Sequence, residues 1–154
     1  KASSTAVTLR TVGQGEVMFV AAPLLSSYET YPNPHIADYV TELYQRLYPR
    51  PLVLVDGPRQ LEMTAVRREN NLIVHLVNHN GKEIFAGKGK GYRFVEYIPE
   101  IRNIYISIRD ASPDGIRSVP NGVIDQSWLA NGYLVIRLDS LHIMNSICLP
   151  GYYT

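Results

Sequence analysis

The stretch NLIVHLVNHNG, Asn71–Gly81, decides the fold of this chain. It is a run of apolar and β-branched residues that ends in a polar corner, and such runs favour extended backbone. Asn80-Gly81 at that corner is a strong signal for a tight hairpin turn, so the stretch predicts a strand that folds back into Lys82–Ala86. The runs that follow it show the same alternation of apolar and polar residues. Most of the chain is therefore predicted to be an antiparallel β domain.

Alternating apolar residues recur at short intervals through the part of the chain that follows Pro51. The runs are Leu61/Met63/Ala65, Ile104/Ile106/Ile108, Leu134/Ile136/Leu138 and Leu141/Ile143/Ile147/Leu149. Turn-forming residues separate the runs at 68–70, 112–115, 120–122, 131–132 and 139–140. Short strands with turns at this spacing are typical of a sandwich. Residues 51–154 are therefore predicted to form an antiparallel β-sandwich.

The first 50 residues have a different pattern. Val7–Arg10 and Glu16–Ala21 predict a hairpin closed by two glycines, and a loop follows it. A helix is then predicted from Pro34, with Asn33 as its cap, an apolar stripe that begins at Ile36 and an end before Pro49. A strand-strand-helix unit of this size cannot close a core by itself. We expect its stripe to pack on the sandwich, on sequence outside this chain or on another subunit.

Composition excludes several classes of protein. The chain has 154 residues, and its 15 basic and 14 acidic side chains nearly cancel, which argues against nucleic acid as a partner. No apolar run approaches the ~18 residues of a membrane span, so we expect no membrane partner. The one cysteine, Cys148, cannot form an internal disulfide and is expected to be a buried, inert thiol. No oxidising compartment is implied, and a cytoplasmic location is favoured.

The residues that carry chemistry do not form a recognisable catalytic set. His75 and His79 lie four apart on a predicted strand, which separates them by about 13 Å and prevents them from sharing one metal ion. We therefore expect no metal and no cofactor. Paired carboxylates of the kind that cleave glycosidic bonds cannot be chosen from the scattered Asp and Glu residues, so no catalytic residue is assigned. An independent small hydrolase using Asp56, His75 and Asp110 is the least favoured alternative.

Aromatic residues give a better indication of binding. The chain has 11 Tyr and one Trp. Trp128, Tyr133, Tyr92 and Tyr97 lie near predicted strand ends or turns, where exposed rings stack on sugars. Tyr and Trp also fill sandwich cores and interfaces, so these positions have an ordinary structural explanation too. The four are the candidate ligand-binding residues, and a carbohydrate-binding module is the alternative function that they support.

The first 50 residues resemble the end of an α/β domain found in certain bacterial glycoside hydrolases. In that group, such a domain ends with a glycine turn, a Phe-Ala-Ala-Pro-Leu segment and a last helix. The matching residues here are Val12–Glu16, Phe19–Leu24 and His35–Tyr48. The relatives are family 42 β-galactosidase-like enzymes with a trimerisation domain and related hypothetical glycosyl hydrolases. The resemblance implies that residues 1–50 are the C-terminal remnant of a flavodoxin-like α/β domain.

The sandwich part resembles the C-terminal domain of the same enzymes. Their domain opens with Arg-Pro, continues into a His-Leu-Val-Asn strand and has a later strand after a proline. These features correspond to Arg50-Pro51, Leu61–Arg67, His75–Asn78 and Ile98–Ile104. The catalytic barrel of the family has no counterpart in this chain. The resemblance implies a non-catalytic accessory region that serves stability or subunit assembly, with the barrel of the same parent protein as its partner. The uncovered apolar stripe of the helix makes a homo-oligomer a candidate assembly. The aromatic residues make carbohydrate a candidate ligand.

Overall fold

The computed structural model describes residues 6–86, 92–120 and 123–153, and of residues 82–86 and 92–96 it describes the backbone. It is mainly β, with 51% of residues in strands and 16% in helices, which confirms the predicted fold class. The chain divides into two compact units, Lys1–Pro51 and Leu52–Thr154.

The described residues of the first unit form a hairpin and two helices. These are β1 (Val7–Val12), β2 (Gly15–Val20), α1 (Leu24–Thr30) and α2 (Pro34–Leu47). The hairpin is as predicted, with Val12 opposite Gly15 and Gly13 at a φ of +62°. The cap of α2 is also as predicted, because the Asn33 side chain accepts a hydrogen bond from the His35 N–H at 3.0 Å.

Helix α1 lies where the sequence predicted a loop. Its seven residues are too few for an apolar stripe to recur, which removes the main sequence signal for a helix. The Thr30 hydroxyl donates to the Ser26 carbonyl within the helix at 2.9 Å. The helix is thus supported by local bonds rather than by a buried face.

The described residues of the second unit form two four-stranded antiparallel sheets and a two-stranded one. The strands are β3 (Val53–Asp56), β4 (Leu61–Arg68), β5 (Asn71–Asn78), β6 (Lys82–Ala86), β7 (Tyr92–Tyr97), β8 (Ile101–Arg109), β9 (Arg117–Val119), β10 (Ile124–Ala130), β11 (Tyr133–Leu141) and β12 (Met144–Leu149). The front sheet has the order β10-β11-β8-β3, and the back sheet has the order β4-β5-β12-β9. Strands β6 and β7 pair with each other.

A core of aliphatic side chains joins the front and back sheets. It includes Ile104, Ile106, Ile108, Leu134, Ile136 and Leu138 from the front sheet and Leu72, Val74, Leu76, Ile147 and Leu149 from the back sheet. Side chains alternate between the two faces of a strand, so every second residue of these strands enters the core. Full burial of a large aliphatic side chain contributes about 1.5–3 kcal/mol. The two sheets are therefore the layers of a β-sandwich.

Strand β12 lies between β5 and β9 in the back sheet. It pairs with β5 from Met144 opposite Val77 to Leu149 opposite Leu72. On its other side, Ser146–Cys148 pair with β9. The Cys148 side chain is only half-buried, because it lies on the outer face between the core residues Ile147 and Leu149. The prediction of a buried thiol is therefore wrong.

The corner after β5 differs from the hairpin that Asn80-Gly81 predicted. Strand β5 pairs with β4 on one side and β12 on the other, so it has no edge left for β6. The chain instead continues into β6, which pairs with β7. The hairpin prediction is wrong because a local turn signal cannot show that the strand already has two partners.

The buried Asn78 side chain organises this corner. Its Nδ2 donates to the carbonyls of Pro99 at 2.8 Å, His142 at 2.7 Å and Leu141 at 3.4 Å. Its Oδ1 accepts from the Asn80 N–H at 2.9 Å. One carboxamide thus satisfies backbone groups from three separate connections of the chain. This explains a buried asparagine at the end of a strand whose other buried residues, Leu72, Val74 and Leu76, are apolar.

The other predicted turns have mixed outcomes. Asn131 and Gly132, with φ of 53° and 77°, join β10 to β11 as predicted. Glu69, with a φ of 55°, lies in the predicted turn from β4 to β5. The turn predicted at Asp139-Ser140 is wrong, because β11 continues to Leu141 with Ser140 opposite Arg102. The turn predicted at 120–122 falls partly outside the described residues.

None of the helices in the described ranges is long and apolar enough to cross a membrane.

We expect the Asn78→Ala substitution to lower the free energy of unfolding by about 1–3 kcal/mol, because it leaves buried carbonyls without a donor. Asn78→Asp should be at least as destabilising at neutral pH, because it directs a negative charge at those carbonyls. Chemical denaturation of the full chain measures both changes.

Asn80→Ala is the matched control for Asn78, since the Asn80 side chain is exposed. We expect a change within about 0.5 kcal/mol. Equal stability of the Asn78 and Asn80 variants would show that the carboxamide does not hold the corner together.

Candidate functional site

The outer face of the front sheet presents two neighbouring rows of side chains. Residues directly opposite each other in a sheet point to the same face. Val135 and Arg137 lie between the buried residues of β11 and therefore point outward. The register extends these positions into two rows, Trp128–Val135–Ser107–Leu54 and Gln126–Arg137–Tyr105–Asp56. The surface that they form is called here the Trp128 face.

The Trp128 and Tyr105 rings pack against each other across β11. Their strands are separated by about 10 Å in the sheet, because β11 lies between them. The ring centroids are nevertheless only 6.3 Å apart, with an angle of 76° between the planes. This edge-to-face geometry is the one that aromatic pairs prefer. It fixes the orientation of Trp128 while leaving 40% of that residue exposed.

Arg137 lies beside this pair and is held from two sides. Its Nη1 is 3.2 Å from Asp125 Oδ2, and its Nη2 donates to Asn103 Oδ1 at 2.9 Å. Both partners lie at irregular points of the backbone. The register shifts at Asp125, which lies between Ile124 and Gln126, and Asn103 has a φ of 55°. A bulge redirects the side chain of the extra residue, and here that side chain reaches the guanidinium.

One nitrogen of the Arg137 side chain makes no hydrogen bond within the described residues. Arg137 Nε is buried and has no hydrogen-bond partner among the described residues. A buried donor left in this state costs about 1–3 kcal/mol.

The predicted ligand residues are divided between two sheets. Trp128 and Tyr133 both lie on the Trp128 face, since Tyr133 is opposite Ala130 and Arg109 in the same alternation. Tyr97 and Tyr92 lie on β7, away from that face, and Tyr97 is 64% exposed. The Tyr92 side chain lies outside the described residues. A ligand-binding role for the four residues stays a prediction.

Sequence reasoning missed Tyr105, Arg137, Asp125 and Asn103. They approach Trp128 only through pairing between strands that are distant in the chain. The available signal was the alternation Ile104-Tyr105-Ile106, which assigns Tyr105 to the face opposite the core.

The residues of the hydrolase alternative do not converge. Asp56 points outward from the front sheet, and Asp110 follows β8 of the same sheet. His75 points outward from the back sheet, where its Nδ1 lies 2.8 Å from Ser146 Oγ. The sandwich core lies between Asp56 and His75. The geometry therefore does not support a site built from these three residues.

The two histidines that were considered as metal ligands have other neighbours. His79 Nε2 lies 2.8 Å from Glu62 Oε2 on the exposed side of β4, whereas His75 bonds to Ser146. Within the described ranges, no three His, Cys, Asp or Glu side chains are grouped closely enough to hold a metal ion.

The first unit contains an apolar groove of about 470 Å³. Its lining includes Met18, Val20, Leu24, Val40, Leu43 and Leu47. None of the described residues in the two helices or the two strands of this unit is buried. The predicted apolar stripe of α2 is therefore present and lines an open surface.

No protein-family model matches the chain, and no curated protein matches it either. Among solved structures, it is similar to the alpha-L-fucosidase isoenzyme 2 from Paenibacillus thiaminolyticus, with a TM-score of 0.67 and 14% sequence identity. The similarity covers 93% of this chain but 22% of that chain. At this identity the similarity shows the fold, a β-sandwich of a kind that is also part of a much longer protein.

We expect the Tyr105→Leu substitution to make Trp128 more accessible and to lower the free energy of unfolding by about 0.5–1.5 kcal/mol, the usual contribution of such an aromatic pair. Because Trp128 is the only tryptophan in the sequence, acrylamide quenching of the intrinsic fluorescence measures its accessibility directly.

Tyr97→Leu, in the two-stranded sheet, is the control and should leave the quenching unchanged. Identical quenching in the wild-type chain and the Tyr105 variant would contradict the packing of the two rings.

Proposed function

We propose that this chain is a non-catalytic C-terminal accessory region of a glycoside hydrolase, where it serves stability or subunit assembly. One observation carries the proposal, namely that 93% of the chain aligns with 22% of an enzyme whose name is alpha-L-fucosidase. The sequence resemblance also indicates a carbohydrate-active enzyme. The neighbour is a fucosidase, so the narrower assignment to family 42 rests on the sequence motifs alone.

The open surface of the first unit supports this proposal. Its hairpin and helices have no buried residue, and its groove is lined by apolar side chains. Exposed apolar surface of this kind marks interaction sites. A catalytic barrel in the same polypeptide, or a second subunit of the enzyme, would cover the groove and gain the free energy of burying it.

The absence of a catalytic role in the chain is tested by assaying it against a panel of aryl glycosides. We expect no turnover above that of a buffer blank. Turnover that disappears when one carboxylate, such as Asp56 or Asp125, is changed to the amide would overturn the proposal.

The accessory role predicts the gene context and the effect of deletion. We expect the reading frame to continue upstream of Lys1 into a region large enough to encode a barrel. In that longer protein, deletion of residues 1–154 should lower the thermal unfolding temperature or the oligomer size, while the remaining folded molecules keep their turnover. A start codon directly before Lys1 would contradict the proposal.

A further inference from the structure

The geometry points to the Trp128 face as a binding site for a neutral saccharide. The exposed indole of Trp128, oriented by its edge-to-face contact with Tyr105, supplies an aromatic face, and Asp125, Asn103 and Arg137 supply hydrogen-bonding groups at its side. This proposal does not depend on the parent enzyme and concerns a binding activity of the sandwich itself.

The chemistry of the surface matches the two kinds of surface on a pyranose. A sugar ring has an apolar face of C–H groups and an equatorial rim of hydroxyls. The exposed indole of Trp128 is suited to the apolar face, because large aromatic rings combine apolar area with a fixed orientation. The carboxylate of Asp125 and the carbonyl of Asn103 are acceptors that suit the hydroxyl donors of the rim.

The polar groups are already arranged before a ligand binds. Arg137 holds the Asp125 and Asn103 side chains at 3.2 Å and 2.9 Å, so their remaining lone pairs are fixed relative to the Trp128 ring. Side chains that are ordered in advance lose less conformational entropy on binding. A surface of mobile polar side chains would not have this property.

Arg137 is the residue that links these polar groups. Its two partners, Asp125 and Asn103, lie at irregular points of the backbone, and its Nε has no hydrogen-bond partner within the described residues. Departures from regular strand geometry of this kind are expected at functional sites.

The residue that follows Trp128 on β10 lies outside the proposed site. Leu129 adjoins Trp128 in the chain but points to the opposite face, where it is opposite Leu134 and 65% exposed. Leu129→Ala is therefore a matched control for Trp128→Ala, since both remove an exposed apolar side chain from β10.

The binding experiment uses the intrinsic fluorescence of the full chain. The probes are methyl α-L-fucoside, methyl β-D-galactoside, lactose and cellobiose. We expect at least one probe to shift the Trp128 emission to shorter wavelength in a saturable way, with a Kd on the order of 1 mM. The Arg137→Met variant should lose the response while circular dichroism shows that it remains folded, because Asp125 and Asn103 are then no longer held beside Trp128. No saturable change with any of the four probes would overturn the proposal.

Two further measurements test the proposal independently of the Arg137 variant. In native gels containing soluble galactomannan or xyloglucan, the wild-type and Leu129→Ala chains should be retarded and Trp128→Ala should not. In the wild-type chain labelled with ¹⁵N, the single indole N–H resonance should shift on addition of the responding probe. Equal retardation of all three chains, an unmoved indole resonance, or concentration-dependent dimerisation that Trp128→Ala abolishes would overturn the proposal.

Discussion

Burial of alternating aliphatic side chains between two sheets is the constraint on which the rest of the structure depends. Each inner strand contributes every second residue to the same core, from Leu72 on β5 to Ile136 on β11. Apart from the irregular points at Asp125 and Asn103, side chains alternate between the two faces, so fixing the inner face also fixes the outer face, and a slip of one residue would exchange the two. The position of Trp128 beside Tyr105 is thus a consequence of which residues are buried beneath them. The pairing register of the strands therefore determines both which residues are buried and which side chains lie on the outer surface.

The outward-facing residues of the two sheets can differ in chemistry, because they do not contribute to the core. On the front sheet the outward residues include an aromatic pair and a clamped arginine, whereas on the back sheet they include the His75–Ser146 pair and the half-buried Cys148. The irregular backbone at Asn103 shifts the alternation, so that Ile101 and Ile104, three residues apart, both enter the core. A sandwich built in this way keeps its stability while one face is specialised.

Local signals in the sequence predicted the elements well and their partners poorly. The alternation identified most of the core residues, but it was wrong at Ile143, which is 52% exposed between β11 and β12. Asn33 and Asn131-Gly132 identified a helix cap and a hairpin from the chemistry of single residues. Asn80-Gly81 failed because the number of partners of β5 is a property of the whole sheet. Trp128 was recognised as a candidate, but Tyr105 and Arg137 were not, because only long-range pairing brings them to it. Short helix α1 was missed because seven residues cannot show a period.

The insertion of β12 between β5 and β9 has a consequence for the order of assembly. Until Met144–Leu149 leaves the ribosome, the Asn71–Asn78 strand has an unpaired backbone edge next to β-branched and apolar side chains. Pairings that span so much of the chain slow folding, and open edges of this kind template aggregation. The back sheet therefore cannot close until residues 144–149 have been synthesised. A chaperone that shields this edge in the nascent chain would protect the molecule at its most vulnerable stage.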